Sequence, residues 1–244
     1  MQILHFLSGV VAQIRKGEYV SGSDAKARGV ESTGKDVFLA LQDGDDTRPL
    51  LDVDGNETDE VYFPIAEADE EIATQALTWI REQVYEPNDR SYTAKLHRAC
   101  REEQVSPSNC NMIASLIPSY SRAQNAERVL DRFRDSEHMF TDKRTASADG
   151  KGDRIMVRAE IVDLGEIQTW RRQYGKAPKY RVLLGTENGN LLHSFSTSKS
   201  LADFRVGDKV TAEGTLVAHD AWEQNGIRVP STVLSRLSLT AKRA

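Results

Sequence analysis

Residues 154–162, RIMVRAEIV, and residues 180–198, YRVLLGTENGNLLHSFSTS, decide the predicted fold. The first run alternates with period two, which is typical of a half-buried strand; its inward side chains are Ile155, Val157, Ala159 and Ile161. The second run holds two β-rich segments around Asn188-Gly189, a pair that suits the positive φ angles of a two-residue type I′ turn. Together they predict one strand followed by a hairpin.

Two further strands are predicted after the hairpin. Residues 205–218, RVGDKVTAEGTLVA, alternate again, and residues 226–240, GIRVPSTVLSRLSLT, supply a fifth strand. Pro230 near the start of the fifth strand indicates an edge or a bulge, because proline cannot donate to a ladder. The segment SKSLADF, residues 198–204, is long enough for a short helix between strands three and four.

Five strands with the longest insertion after the third resemble the order of the OB fold. The Gly207-Asp208 turn and the sequences YGKAPKYRVLL (174–184) and FSTSK (195–199) resemble OB domains at the C-termini of phage-type DNA-processing proteins. The resemblance covers residues 154–244, about a third of the chain. It implies a β-barrel and single-stranded nucleic acid as the ligand.

A turn at Asn188-Gly189 fixes the predicted register of the hairpin. Leu184 would pair with His193 and Val182 with Phe195, and these pairs would face the core. The outward side chains would then be Arg181, Leu183, Ser194 and Ser196. This register leaves no aromatic ring on the sheet face.

The predicted nucleic-acid site combines cations, which contact phosphates, with rings, on which bases stack. Its members lie on the hairpin, in the loops that flank the groove and just beyond the third strand: Trp170, Arg171, Arg172, Tyr174, Lys176, Lys179, Arg181, Ser194, Ser196, Lys199, His219 and Trp222. An alternative is that Trp170 and Trp222 only close the ends of the barrel.

Charge is distributed unevenly along the 244 residues. Residues 1–65 carry 6 basic and 12 acidic side chains, residues 66–153 carry 12 and 16, and residues 154–244 carry 14 and 9. A basic C-terminal module on an acidic remainder favours a polyanion-binding domain attached to a region that binds a protein partner or screens the barrel.

Residues 1–65 are predicted to be a β-rich acidic region, with strands at 3–14, 36–41 and 61–65 and a solvated hairpin turning at Asp54-Gly55. Residues 29–35, GVESTGK, match a phosphate-binding loop only in part. Such a loop needs an apolar strand before it, a helix after it and a hydroxyl at the position that Asp36 occupies, so a nucleotide site is rejected.

Residues 66–140 are predicted to be a bundle of four short helices, the third beginning at Ser106-Pro107 and the fourth spanning about 123–140. Residues 141–153, TDKRTASADGKGD, have no periodicity and predict a linker to the barrel at 154–244. The predicted class is therefore α+β: a β-rich N-terminal region, a small helical bundle and a C-terminal five-stranded OB-like barrel.

No catalytic or metal-binding constellation emerges. His97, Cys100 and Cys110 lack a fourth zinc ligand, and the other histidines stand without nucleophile and acid partners. Two cysteines form no disulfide framework. No apolar run approaches the length of a membrane span, which is about 18 residues, and the N-terminus lacks a signal-peptide pattern. We expect no cofactor, no membrane contact and a cytoplasmic location.

The sequence thus predicts a non-enzymatic protein that binds single-stranded nucleic acid, with DNA favoured, in replication, recombination or repair. Its acidic N-terminal region and bundle could dock a protein partner. Two alternatives stay open: an adaptor whose barrel and bundle both dock proteins, and an enzyme that acts on nucleic acid.

Overall fold

The computed structural model describes residues 1–51, 56–61, 63–139, 154–167, 179–224 and 227–241. The chain divides into two compact units, Met1–Ala123 and Gln124–Ala244. It contains helices and a five-stranded mixed sheet, which confirms the α+β class. The division falls inside a helix, upstream of the predicted linker at 141–153, and that linker lies outside the described residues.

The first unit is mainly helical. Its elements are α1 (Ile3–Lys16), α2 (Gly22–Arg28), α3 (Thr33–Gln42), β1 (Pro49–Leu51), β2 (Glu57–Val61), α4 (Glu67–Glu82), α5 (Tyr92–Cys100), α6 (Cys110–Ala114) and the start of α7 (Leu116–Phe133). No helix among the described residues is long and apolar enough to cross a membrane.

The prediction of a β-rich region at 1–65 is wrong. The apolar side chains of Ile3, Phe6, Leu7 and Val10 recur every three or four residues and are buried, which is the period of a helix face. Leu4 belongs to the same apolar run but is 40% exposed, so a continuous run concealed an amphipathic helix. The predicted strand at 36–41 is likewise part of α3.

In the described part of residues 1–65, the named strands are the short antiparallel pair β1 and β2. The strand predicted at 61–65 begins where β2 ends, and the predicted turn residues Asp54 and Gly55 lie outside the described residues.

The first two helices predicted after residue 66 are present as α4 and α5. The later boundaries differ, because α7 runs through Pro118 instead of stopping before it. Pro118 is the third residue of α7, where the backbone N–H has no intrahelical acceptor, so proline costs no hydrogen bond. The helix ends at Phe133, seven residues before the predicted end at residue 140.

Asp69 ties α1 to α4 in the core of the first unit. Its carboxylate is almost fully buried and accepts hydrogen bonds from the Ala66 backbone N–H (2.8 Å) and from Arg15 Nη2 (2.8 Å) and Nε (3.1 Å). The same carboxylate therefore caps α4, and Arg15 balances its buried charge.

The second unit is a sheet that closes on itself. Its strands are β3 (Arg154–Ile167), β4 (Lys179–Thr186), β5 (Leu191–Ser196), β6 (Lys209–Gln224) and β7 (Ile227–Ala241). They are ordered β3-β4-β5-β7-β6, and β6 pairs back with β3. The β5–β7 pair is parallel and the other pairs are antiparallel. Apolar side chains from all five strands fill the interior, among them Ile161, Leu184, Leu192, Leu216 and Leu234.

The predicted register of the β4–β5 hairpin is wrong by one residue. Gly185 pairs with Leu191 and Leu183 with His193, and the Gly189 N–H donates to Thr186 O (3.1 Å). Gly189 alone in this loop has positive φ (79°), so the connection is the three-residue loop 187–189 rather than a two-residue turn. A one-residue slip turns every β5 side chain to the other face of the sheet.

Candidate nucleic-acid interface

An exposed aromatic ring lies on the outer face of β4 and β5, flanked by cations. Phe195 is 47% exposed and pairs across the hairpin with Arg181. Lys179 Nζ lies 4.9 Å from the centroid of the Phe195 ring, and the His193 ring meets it edge-on at 5.7 Å. We call these four residues, Lys179, Arg181, His193 and Phe195, the ring patch.

Little free energy is needed for Lys179 and Arg181, the cations of the ring patch, to turn toward a ligand. Arg181 Nη2 donates to Asp163 Oδ2 (2.6 Å), a pair in which the arginine side chain is 47% exposed. Exposed ion pairs contribute at most about 1 kcal/mol, so a phosphate can compete with Asp163. Lys179 forms no ion pair with any residue that the structure describes.

His193 contributes an uncharged ring. Burial lowers its pKa, the nearby Asp220 opposes the shift, and Arg181 adds to it. Its Nδ1 lies 3.1 Å from Ser231 Oγ, which fixes the ring plane. The positive charge of the ring patch at neutral pH therefore comes from Lys179 and Arg181.

The C-terminal half of α7 covers the adjoining part of the same outer face. Its apolar side chains Ala126, Val129, Leu130 and Phe133 form one cluster with Val162, Leu183, Leu191, Trp222 and Val229 of the sheet. A Cβ atom on Gly185 would lie 2.2 Å from Phe133 Cζ, so the absence of a side chain there makes room for the ring. Asn125 Nδ2 also donates to Val162 O (2.9 Å). The middle of the predicted groove is thus filled by the chain's own helix.

Several predicted site residues are corrected by this arrangement. Trp222 is only 8% exposed and belongs to the buried cluster between the sheet and α7, so it is not available in the groove. Ser194 faces the interior and is fully buried, and Ser196 pairs with Tyr180 on the interior side; the one-residue register error had placed both outward. Lys179 and Arg181 lie where predicted, on the exposed outer face.

His219 is exposed but is engaged within the second unit. Its ring stacks on His138 with centroids 4.5 Å apart, and its Nε2 lies 3.2 Å from Met139 O. Lys199 begins a short 3₁₀ helix, Lys199–Asp203. Trp170, Arg171, Arg172, Tyr174 and Lys176 lie outside the described residues. Ile167 and Lys179 lie at the strand ends that flank these five residues, and they pair with each other. Lys179 also belongs to the ring patch.

Phe195 and His193 were missed as outward-facing residues. The signal that could have found them is the five-residue string TENGN, because a glycine at the third loop position also fits a type I turn with a G1 bulge.

Within the rejected phosphate-binding loop, the structure buries Ser32, Thr33 and Gly34. Gly34 is the second residue of α3, which begins at Thr33. A Cβ on Gly34 would lie 2.8 Å from Asn111 Oδ1 and 2.9 Å from Asn111 Cα. The expectation that a strand follows was wrong, since α3 follows. Among the described residues, no group of three His, Cys, Asp or Glu side chains could hold a metal ion.

No protein-family model matches the sequence, and no curated protein matches it. Among solved structures, a small single-stranded DNA-binding protein from Streptomyces coelicolor matches 37% of this chain and 94% of its own chain, at 12% identity. The TM-score of 0.29 is too low to transfer a fold or a function from that protein.

Proposed function

We propose that the second unit binds single-stranded nucleic acid at the ring patch and catalyses no reaction. The observation that carries the proposal is the exposed Phe195 ring with Lys179 and Arg181 beside it. A base can stack on such a ring while the two cations contact the phosphates on either side. Every base has a π-face, so this mode does not depend on sequence.

The strand order supports the same proposal. A closed five-stranded sheet in which the third and fifth strands are parallel neighbours fits an OB-like barrel, and OB folds bind oligonucleotides on strands two and three. The ring patch lies on β4 and β5, the second and third strands of the closed sheet. Within the proposal the ligand is DNA and the protein serves replication, recombination or repair in the cytoplasm, as the resemblance to phage-type DNA-processing proteins implies.

The footprint on the described residues is small, because α7 occupies the neighbouring face. One stacked base contributes about 1–3 kcal/mol, which supports moderate affinity at most. Binding should therefore depend strongly on the two cations and on salt.

Phe195→Ala tests the proposal. Titration of a labelled oligothymidine should show a loss of about 5- to 150-fold in affinity, which corresponds to one lost stack, with little change in salt dependence. Met156→Ala is the matched control, since Met156 is 69% exposed on β3, outside the ring patch. Lys179→Ala and Arg181→Ala should each reduce the salt slope by about 0.7 between about 50 and 200 mM salt.

Thermal unfolding of each variant separates binding from folding. If Phe195→Ala weakens binding only in proportion to lost stability, the ring does not stack on a base. If the parent protein binds no oligonucleotide at low salt, the adaptor function takes the first place.

One observation favours a protein partner for the first unit. Residues 1–123 carry 12 basic and 21 acidic side chains, a net charge of −9, whereas residues 124–244 carry 20 and 16, a net of +4. A unit with that negative charge repels phosphate, so we infer that any partner it recruits is a protein. Removal of the first unit should then leave oligonucleotide affinity at low salt equal or higher.

A further inference from the structure

A second cluster of cations lines a cleft at the far end of β4 from the ring patch. The cleft has a volume of about 190 Å³ and is bounded by the end of α7, the β4–β5 turn and the neighbouring edges of β3 and β6. Its charged lining residues are Arg132, Arg158, Lys209, Glu160 and Glu187. Gly185 lines the cleft, and along β4 it lies six residues, about 20 Å, from Lys179 and four residues, about 13 Å, from Arg181.

The strand register brings the cations together. Arg158 and Glu160 are two residues apart on β3 and so project from one face, and Glu160 pairs with Lys209 of β6. Arg132 reaches this face from α7, where its Nη2 donates to Glu160 Oε2 (3.1 Å).

Glu160 is therefore engaged by Arg132. In the part of the chain that the structure describes, Arg158 and Lys209 have neither a hydrogen-bonded carboxylate nor an ion pair. With Glu160 held by Arg132 and Glu187 as the second carboxylate, the charged side chains of the cleft sum to +1. Arg158 and Lys209 repel each other there, and an anion between them would lower that repulsion.

The volume limits what the anion can be. The cleft is several times larger than the about 30 Å³ of one water, and it is smaller than the about 300 Å³ at which pockets for whole small molecules begin. A single phosphate group fits that range. Guanidinium and ammonium groups are the usual partners of phosphate oxygens.

We propose that this cleft binds a phosphate group, with Arg158 and Lys209 contacting its oxygens and Arg132 held beside them by Glu160. The charges of the cleft support the binding of a phosphate group. The further step, in which this phosphate belongs to a nucleic acid strand, rests on the proposed function. In that case the cleft is a second backbone contact, which extends the footprint beyond the ring patch along β4.

The test uses the full-length protein labelled with ¹⁵N and titrated with inorganic phosphate, with sodium chloride at equal ionic strength as the reference. The backbone amide signals of Gly185, Thr186 and Lys209 should shift with phosphate and not with chloride. The double variant Arg158→Gln/Lys209→Gln should lower phosphate affinity roughly tenfold or more, because each lost contact is a charge-assisted hydrogen bond. Arg154→Gln is the matched control, since Arg154 lies on the same strand but is paired with Glu213 outside the cleft.

Two oligothymidines, with and without a 5′-phosphate, identify the source of the phosphate. Greater sensitivity of the 5′-phosphorylated strand to the double variant assigns a terminal phosphate, and equal sensitivity assigns an internal phosphodiester. Shifts with inorganic phosphate but no effect of the variant on either strand assign free phosphate. Equal shifts with chloride, or phosphate affinity unchanged in the double variant, would overturn the inference. Phe195→Ala leaves the cleft intact, so failure of the ring patch and failure of the cleft are separate results.

Discussion

The predicted and observed interfaces differ because the hairpin loop holds one residue more than predicted. TENGN accommodates both a two-residue turn at Asn188-Gly189 and the three-residue loop 187–189, and both place Gly189 at positive φ. The Asn-Gly pair favoured the two-residue turn, and the register that follows from it put Ser194 outside. In the structure Ser194 is fully buried and its Oγ has no hydrogen-bond partner among the described residues, while Leu183 and Leu191 face outward beneath α7. The local sequence could not reveal a helix that covers that face.

Ser194→Ala tests the register directly. Removal of a buried hydroxyl without a partner should leave the free energy of unfolding unchanged or raise it by up to about 1 kcal/mol. Ser231→Ala is the matched control: Ser231 is equally buried, but its Oγ lies 3.1 Å from His193 Nδ1, so its loss should destabilise the protein by about 1–3 kcal/mol. Urea unfolding measures both. A Ser194→Ala variant as destabilised as Ser231→Ala would contradict the observed orientation of β5.

At the scale of elements, the strands of the second unit were predictable and the helices of the first 65 residues were not. In β4, alternate residues enter different clusters: Val182 and Leu184 face the interior, and Leu183 packs beneath α7. In the segments that form α1 and α3 the apolar residues follow one another closely. The period of a strand, two residues, and the period of a helix, 3.6 residues, therefore fit the sequence equally well. Tertiary packing decides: a Cβ on Gly9 would lie 2.8 Å from Val37 Cγ1, which shows how closely α1 and α3 approach.

The contact between Phe133 and Gly185 should decide how α7 sits on the sheet. In Gly185→Ala the new methyl group meets the Phe133 ring, and overpacking of this kind costs about 1–3 kcal/mol. Gly165→Ala is the control, because Gly165 is also in a strand and a Cβ there meets no atom of the described residues within 4 Å. Thermal and urea unfolding should show the loss only in Gly185→Ala. Adding Phe133→Leu to Gly185→Ala should recover part of the lost free energy of unfolding, which is a coupling energy between the two sites. If the effects of the two substitutions on the free energy of unfolding are strictly additive, the contact is excluded.

At the scale of the whole molecule, the charge split was predictable and the boundary that separates the charges was not. The sequence placed the change at the linker 141–153, where composition changes, whereas the compact units divide between Ala123 and Gln124. The difference arises because α7 continues through that point while its buried partners change. Ile117 belongs to the core of the first unit, and Val129 and Phe133 belong to the cluster on the closed sheet. Helical periodicity reports a buried face but not the surface that buries it.

A fragment that starts at Arg154 should therefore be an incomplete unit. It lacks the C-terminal half of α7, which leaves Leu183, Leu191, Trp222 and Val229 without their cover, and a fully buried side chain of this size contributes about 1.5–3 kcal/mol. Compared with residues 124–244, residues 154–244 should unfold at lower temperature and emit at longer wavelength as the Trp222 indole meets water. Residues 134–244 form the intermediate case, because they keep the hydrogen bonds from Ser136 Oγ to Pro230 O and from the Leu191 N–H to Ser136 Oγ but still lack the helix. If α7 is the cover, the 134–244 fragment should resemble 154–244 in its fluorescence. Equal unfolding temperatures and equal emission for all three fragments would show that the closed sheet is complete without α7.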